Sequence, residues 1–308
     1  MNILVTGGAG FVGTNLIKRL IEDDHNVISI DNYSSGKKTN HQEGCTYYDA
    51  DISKAFNIEK ELLVQTLDYG NFNYIYHLGA LARIQPSLIN PAHHIMNNVN
   101  STLTILEYAR LKNIPVIYSG SSSKHHGLYG SPYAWSKWSG EELCKLYSRV
   151  YNLETTICRF YNVYGPYQLE KGNYSTVIGI FEKQYRENKP LTITGDGEQR
   201  RDFTHINDIV DGLIKCLNYK FYAEFFELGR GKNYSINEVA NMFGEEYPKK
   251  YISARKGEYP STLADYSKAK KLLNYNPKHN LKEYLKSKTK GKKDGTKPQT
   301  LSDVRSIG

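Results

Sequence analysis

Tyr133 and Lys137, in the run Ser131-Pro132-Tyr133-Ala134-Trp135-Ser136-Lys137, have the residue types and spacing for proton chemistry. Side chains four residues apart on a helix share one face, so this spacing sets a phenol beside an ammonium. A phenol titrating near ~10 is a poor base at neutral pH, and a cation held against a phenol favours the phenolate. The pair has little specificity alone. With 26 Tyr and 40 Lys+Arg in 308 residues, a Tyr-x-x-x-Lys is expected by chance, and a surface helix with a snorkelling lysine spells the same string.

A second constellation stands near the N-terminus. Thr6-Gly7-Gly8-Ala9-Gly10-Phe11-Val12-Gly13 follows a strand-like Ile3-Leu4-Val5 and opens a helix-like stretch. Read as Gly7-x-x-Gly10-x-x-Gly13, it is a turn without side chains, against which a pyrophosphate can lie on a helix N-terminus and its positive dipole. Asp31 ends the next strand-like run, 18 residues after Gly13, where a carboxylate can bind the adenosine ribose hydroxyls and repel a 2′-phosphate. NAD is therefore expected over NADP. Asn32 follows in the same turn. Asp51-Ile52, after a third strand-like segment, is placed to meet the adenine, and Asn98 the nicotinamide side; both also read as ordinary polar positions of a turn and a helix.

The elements that must carry these groups alternate. Val27–Ile30, Tyr74–Leu78, Val116–Ser119 and Glu154–Phe160 are short apolar runs of buried-strand type, separated by amphipathic stretches such as Phe11–Asp23 and Asn98–Lys112. Strands separated by helices predict right-handed βαβ units: an α/β fold with a doubly wound parallel sheet (Rossmann) covered on both faces. Residues 1–165 are assigned to the dinucleotide domain. From Gly165-Pro166 onward turns multiply, with helices near Val177–Glu187 and Ile206–Leu217, and residues 166–285 are predicted to form a smaller α/β substrate lobe interleaved with the first. Residues 286–308 lack an apolar period and are assigned to a disordered basic tail.

Bulk properties exclude several classes. No apolar run approaches the roughly 18 residues of a membrane helix, and Met1 leads directly into a strand without a secretory signal, so a cytoplasmic protein is expected. Cys45, Cys144, Cys158 and Cys216 lack metal-site spacing, so no metal is predicted and the thiols read as reduced. Of the net charge of +8, much sits in Lys286, Lys288, Lys290, Lys292, Lys293 and Lys297; this argues against nucleic acid and suits a phosphate-bearing substrate.

With these groups in one chain, followed by His77-Leu78-Gly79-Ala80, Ser121-Ser122-Ser123 and Arg159-Phe160-Tyr161-Asn162-Val163-Tyr164-Gly165-Pro166, the sequence resembles the extended short-chain dehydrogenase/reductases from Met1 to about Lys282. Within them it is most similar to the nucleotide-sugar 4-epimerases. The resemblance implies NAD held by Gly7, Gly10, Phe11, Val12, Gly13, Asp31, Asn32, Asp51, Ile52, Leu78, Ala80, Asn98 and Lys137. It makes Tyr133 the catalytic base, with Lys137 on the nicotinamide ribose and a serine on the reacting hydroxyl. Ser121 is assigned that role, with Ser122 next and otherwise a substrate contact. The chain departs from the family here: only 12 positions separate Ser121 from Tyr133, and Lys124-His125-His126 replaces a Val-Tyr-Gly type of ending. The two histidines read as solvated loop residues or as substrate contacts.

For the lobe, the resemblance implies that Asn162, Val177, Arg201, Arg255, Glu258 and Thr262 bind a nucleotide-diphosphate sugar. Arg201 and Arg255 grip phosphate and Glu258 a ribose hydroxyl. Thr262, just before Leu263-Ala264-Asp265, is small and would admit a C2 N-acetyl group. The implied reaction is C4 epimerisation of UDP-glucose/galactose or UDP-N-acetylglucosamine/galactosamine through a 4-keto sugar, in a homodimer. The Asp-Glu pair of related dehydratases is replaced by Ser122-Ser123, which disfavours dehydration. Decarboxylation, reduction or a non-catalytic NAD sensor remain as alternatives.

Overall fold

The computed structural model describes residues 1–54, 71–255 and 257–289. In chain order the elements are β1 (Asn2–Thr6), α1 (Phe11–Glu22), β2 (Asn26–Asp31), β3 (Cys45–Asp49), β4 (Tyr74–His77), α2 (Ile84–Ile89), α3 (Pro91–Lys112), β5 (Val116–Ser121), α4 (Pro132–Tyr151), β6 (Thr155–Phe160) and β7 (Val163–Tyr164). There follow α5 (Val177–Arg186), β8 (Leu191–Thr194), β9 (Arg200–Asp202), β10 (Thr204–His205), α6 (Ile206–Lys215), β11 (Tyr222–Leu228), β12 (Asn233–Ser235), α7 (Ile236–Asn241), β13 (Lys249–Ile252), α8 (Ser267–Leu273) and α9 (Leu281–Thr289).

Among the described residues, seven strands pair in parallel in the order β11-β6-β5-β4-β1-β2-β3. The period of two in a strand decides which core each residue joins. Ile3, Tyr76 and Ile117 enter one core, while their neighbours Leu4, Ile75 and Val116 enter the other. Strands buried on both faces read as continuous apolar runs, which is why β1, β4 and β5 were visible in the sequence. The direction of winding reverses between β1 and β4, and the crevice that opens at their C-terminal ends is where doubly wound sheets take ligands.

The interleaving expected of the C-terminal part takes a definite form, and two other sequence expectations change. Residues 206–228 and 267–275 lie past residue 165, yet Ile206, Leu213, Phe226, Leu228 and Leu273 complete the first core and β11 forms the edge of the sheet. The helix expected from Asn98 begins at Pro91, because proline at the first turn loses no internal hydrogen bond there. Residues 286–289, assigned to the tail, belong to α9, whose Leu281 and Leu285 are buried in the core of the C-terminal lobe; the remainder of that tail lies outside the described residues. Asp202, fully buried, knits the lobe to the sheet by accepting from the backbone N–H groups of Arg230, Gly231 and Ala264 at 3.0, 2.8 and 3.1 Å.

Candidate active site

A cavity of about 730 Å³ runs from the β1–α1 turn across the C-terminal edge of the sheet into the lobe. Gly7, Gly10, Phe11, Val12 and Gly13 form its floor. A Cβ at Gly13 would stand 2.3 Å from Gly7 O, so only glycine lets the helix close on the turn. α1 follows Gly10, which offers no side-chain cap, and has no acidic residue in its first turn, which leaves its N–H groups and dipole for an anion. Asp31 is buried at the end of β2; its Oδ2 accepts from Ala9 N at 2.9 Å and its Oδ1 from Tyr33 N at 2.8 Å. Burial raises the Asp31 pKa against these two hydrogen bonds. Asn32, Asp51, Ile52, Leu78 and Ala80 line the same wall. An open helix terminus, a glycine floor and a carboxylate beyond β2 fit a dinucleotide.

Ser121 and Tyr133 meet at the C-terminal end of β5. Ser131 caps α4, its Oγ accepting from Ala134 N at 3.1 Å, and Pro132 occupies the first turn. This stop-start geometry places Tyr133 at the cavity wall, where its hydroxyl lies 3.5 Å from Ser121 Oγ. Of the three serines, Ser121 is therefore the one that faces the phenol; Ser122 and Ser123 line the cavity beside it. Two short 3-10 turns, Ser122–His126 and Leu128–Gly130, span the brief connection. Lys137 is buried behind the tyrosine, with Nζ 3.3 Å from Ser119 Oγ and 4.3 Å from the centre of the Tyr118 ring. Burial lowers its pKa to about 8, with Glu141 opposing.

In the lobe, Val177 opens α5 at the cavity, and Asn162 and Thr262 face it together. Asn162 Nδ2 donates to Thr262 Oγ1 at 3.1 Å, and Thr262 Oγ1 also accepts from Asp202 N at 3.1 Å. Arg201 donates to Tyr259 O at 2.6 Å and lies 3.9 Å from Glu258, while Arg255 is exposed at the rim.

Asn98 departs from expectation. It is buried away from the cavity: its Oδ1 accepts from Leu81 N at 2.7 Å, and its Nδ2 donates to Leu81 O at 3.0 Å and to Ser136 Oγ at 2.9 Å. With donors and acceptor engaged, the amide ties the loop after β4 to the helix of Tyr133, and Asn97 takes its place at the cavity wall. Lys137 likewise does not line the cavity. One residue was given no role in the sequence although its run was quoted, and one was missed. His77, buried, holds β4 to β1 through Thr6 Oγ1 at 2.8 Å, and burial lowers its pKa to about 3, so it is neutral. Arg83 enters the cavity from the residue before α2 at φ +81°, a conformation that disfavours side chains. Its Nε donates to Tyr174 O at 3.3 Å, and among the described residues it has no carboxylate within ion-pair distance. The run that begins at His77 gave no sign of the contact to Thr6, and Arg83 carries no motif that periodicity or spacing would reveal.

A family model described as the NAD dependent epimerase/dehydratase family matches residues 3–229. A UDP-glucuronate 4-epimerase of Thermodesulfobacterium geofontis is 32% identical over 311 residues, covering 92% of this chain and 93% of that protein. The crystal structure of a UDP-glucose 4-epimerase of Thermotoga maritima with UDP-glucose superposes with a TM-score of 0.86 at 30% identity, over 94% of this chain and 97% of that one. A UDP-N-acetylglucosamine 4-epimerase of Methanobrevibacter ruminantium in complex with UDP-N-acetylmuramic acid gives 0.82 at 30% identity, over 94% and 98%.

Proposed function

The chain belongs to the NAD dependent epimerase/dehydratase family, an enzyme family with NAD as cofactor, and on that premise we propose that it epimerises C4 of a UDP-sugar. The observation that carries the reading is the 3.5 Å approach of the Tyr133 hydroxyl to Ser121 Oγ in the cavity floored by the glycine turn. Gly7 to Gly13 and Asp31 would hold the dinucleotide. NAD supplies a reversible acceptor for the hydride at C4. Tyr133 takes the proton of the sugar 4-hydroxyl and later returns it, and Ser121 holds the same oxygen through a hydrogen bond. Lys137 keeps a positive charge beneath the phenol. Arg201 and Arg255 take the diphosphate and Glu258 a ribose hydroxyl, leaving the 4-keto sugar free to turn about that link and present its other face. Return of the hydride to that other face of C4 and of the proton to the oxygen completes the inversion with no net redox change.

Dehydration has little support. Ser122 and Ser123 stand where a carboxylate pair would act, and Glu141 and Glu227 beneath them are bound to Arg159. For the sugar, small Thr262 supports room for a C2 N-acetyl group. A second reading, a sugar bearing a carboxylate, is favoured by Arg83, whose guanidinium enters the cavity without an anionic partner among the described residues. A homodimer is part of the proposal; Leu111 of α3 and Val150 of α4 expose 70% and 56% of their surface on the helix pair that would meet.

The test is incubation of the NAD-loaded protein with UDP-glucose, UDP-N-acetylglucosamine and UDP-glucuronate, resolving C4 epimers by chromatography. Interconversion without accumulated NADH is expected. No epimer from any of the three, with NAD bound, would favour the non-catalytic sensor, and release of CO2 from UDP-glucuronate would favour decarboxylation.

A further inference from the structure

Lys124 and His125, where the chain departs from the family pattern, have no part in the reaction above. They are nevertheless the side chains by which the turn after Ser121 grips the interior. Lys124 Nζ lies 3.3 Å from Glu141 Oε2, and His125 Nε2 lies 2.8 Å from Glu227 Oε1. Both carboxylates belong to a cluster built on Arg159. Its Nε and Nη2 donate to Glu141 at 3.0 and 2.7 Å, and its Nη1 donates to Glu227 at 2.8 Å. The three charges come from α4, β6 and β11, and their side chains are 1%, 3% and 9% exposed for Glu141, Arg159 and Glu227. Gly120, next to Ser121, makes room for them: a Cβ there would stand 2.8 Å from Glu141 Oε1.

Two carboxylates on one guanidinium leave a negative charge uncompensated in a buried place, which is unfavourable unless a further cation reaches it. Buried Lys137 nearby and Lys124 supply that charge, Lys124 by direct contact, and His125 adds a donor to the second carboxylate. The cluster therefore draws two adjacent side chains of one turn onto the sheet. Ser121 Oγ caps the same turn, accepting from Ser123 N at 3.2 Å, so the height of the turn sets the position of the hydroxyl. Glu141 lies two helical turns beyond Tyr133 on α4, so one carboxylate ties both walls of the reacting pair. At 3.5 Å the Ser121–Tyr133 contact is at the limit of a hydrogen bond, where a small displacement decides whether it forms.

We propose that Lys124 and His125 are positioning residues that hold the Ser121 hydroxyl against Tyr133 by anchoring its turn to the buried Arg159 cluster. They take over the placement that a longer connection between serine and tyrosine would otherwise provide. The inference rests on Ser121 and Tyr133 being the reacting pair.

The test uses the full chain with NAD and the variants Lys124→Met, His125→Ala, their double, and the conservative Lys124→Arg and His125→Gln. On the UDP-sugar the parent turns over fastest, the double variant is expected to lose about 10- to 100-fold in kcat with KM little changed, the scale of a small misplacement of reacting groups. The conservative variants are expected to keep most of the parent kcat. A double variant with the parent's kcat, a loss carried wholly by KM, or conservative variants as impaired as the truncations would each overturn the proposal. Crystal structures of parent and double variant give a readout independent of turnover. The Ser121–Tyr133 separation is expected to open beyond hydrogen-bond reach, and an unchanged separation overturns the proposal. If the parent epimerises none of the sugars, the functional reading fails, while the structural comparison still decides the anchoring. If the double variant does not fold, the single variants carry both measurements.

Discussion

Tyr133 stands at the cavity wall and Lys137 in the protein interior, although the sequence places them on one helix face. That difference sets their separate roles. Replacing Tyr133 by Phe removes the proposed proton carrier while keeping the ring, so kcat is expected to fall by about 10²- to 10⁴-fold with NAD affinity retained, measured by epimer formation and by titration of NAD. Lys137 is desolvated, and its pKa of about 8 means that its charge is present below that pH and lost above it. Turnover is therefore expected to decline through a group titrating near pH 8, and Lys137→Arg, which cannot lose its charge, removes that limb of the kcat profile. Stability runs the other way. The unfolded chain keeps this proton up to the ordinary lysine value of 10.5, so the Lys137 contribution to stability rises between about pH 8 and 10.5. Urea midpoints across that window should rise in the parent relative to Lys137→Met.

Elements are held by polar ties at their ends. Thr6 and His77 join β1 to β4 at the crevice, and Asn98 joins α3 to the loop after β4 and to Ser136 of α4. Asn98→Ala leaves the Leu81 backbone groups and Ser136 without their partner. It is expected to lower stability by about 1–3 kcal/mol, the cost of unsatisfied buried groups. Because Ser136 Oγ also donates to Tyr133 O at 3.0 Å, kcat should fall as well. Denaturant unfolding and turnover of one variant check both; loss of NAD binding alone would instead place Asn98 against the cofactor. The spacing of Asn98 on an amphipathic stretch was legible, but the direction of its amide was not, because it depends on Leu81 and Ser136 arriving from elsewhere in the chain.

Across the whole molecule, the sheet is not complete until the chain returns to it. Among the described residues, ten of the nineteen buried ones in the first core lie beyond residue 165, including Ile206, Phe226 and Leu273. A fragment of residues 1–165 would keep the glycine turn and Tyr133 but expose the faces that α6, α8 and β11 cover. It is expected to show no cooperative thermal transition by circular dichroism and no NAD binding, whereas the full chain unfolds cooperatively. A fragment that folds and binds NAD would show that the edge strand is dispensable.

The sequence by itself determined the parallel sheet, the glycine turn and the helix that carries Tyr133 and Lys137, because each is written in short-range form: buried strands as apolar runs, the turn as glycines at fixed offsets, the helix face as a spacing of four. Asp31 was legible for the same reason, standing at the end of a strand whose position follows from β1. Only the tertiary structure decided that Ser121 meets Tyr133, that Asn98 points into the protein, that Arg83 enters the cavity and that Lys124 and His125 reach Glu141 and Glu227. Those outcomes depend on side chains brought together from the loop after β4, α3, β5 and the turn after it, α4 and β11. A pairing across 102 residues, as between His125 and Glu227, is set by strand order and packing and leaves no local pattern to read.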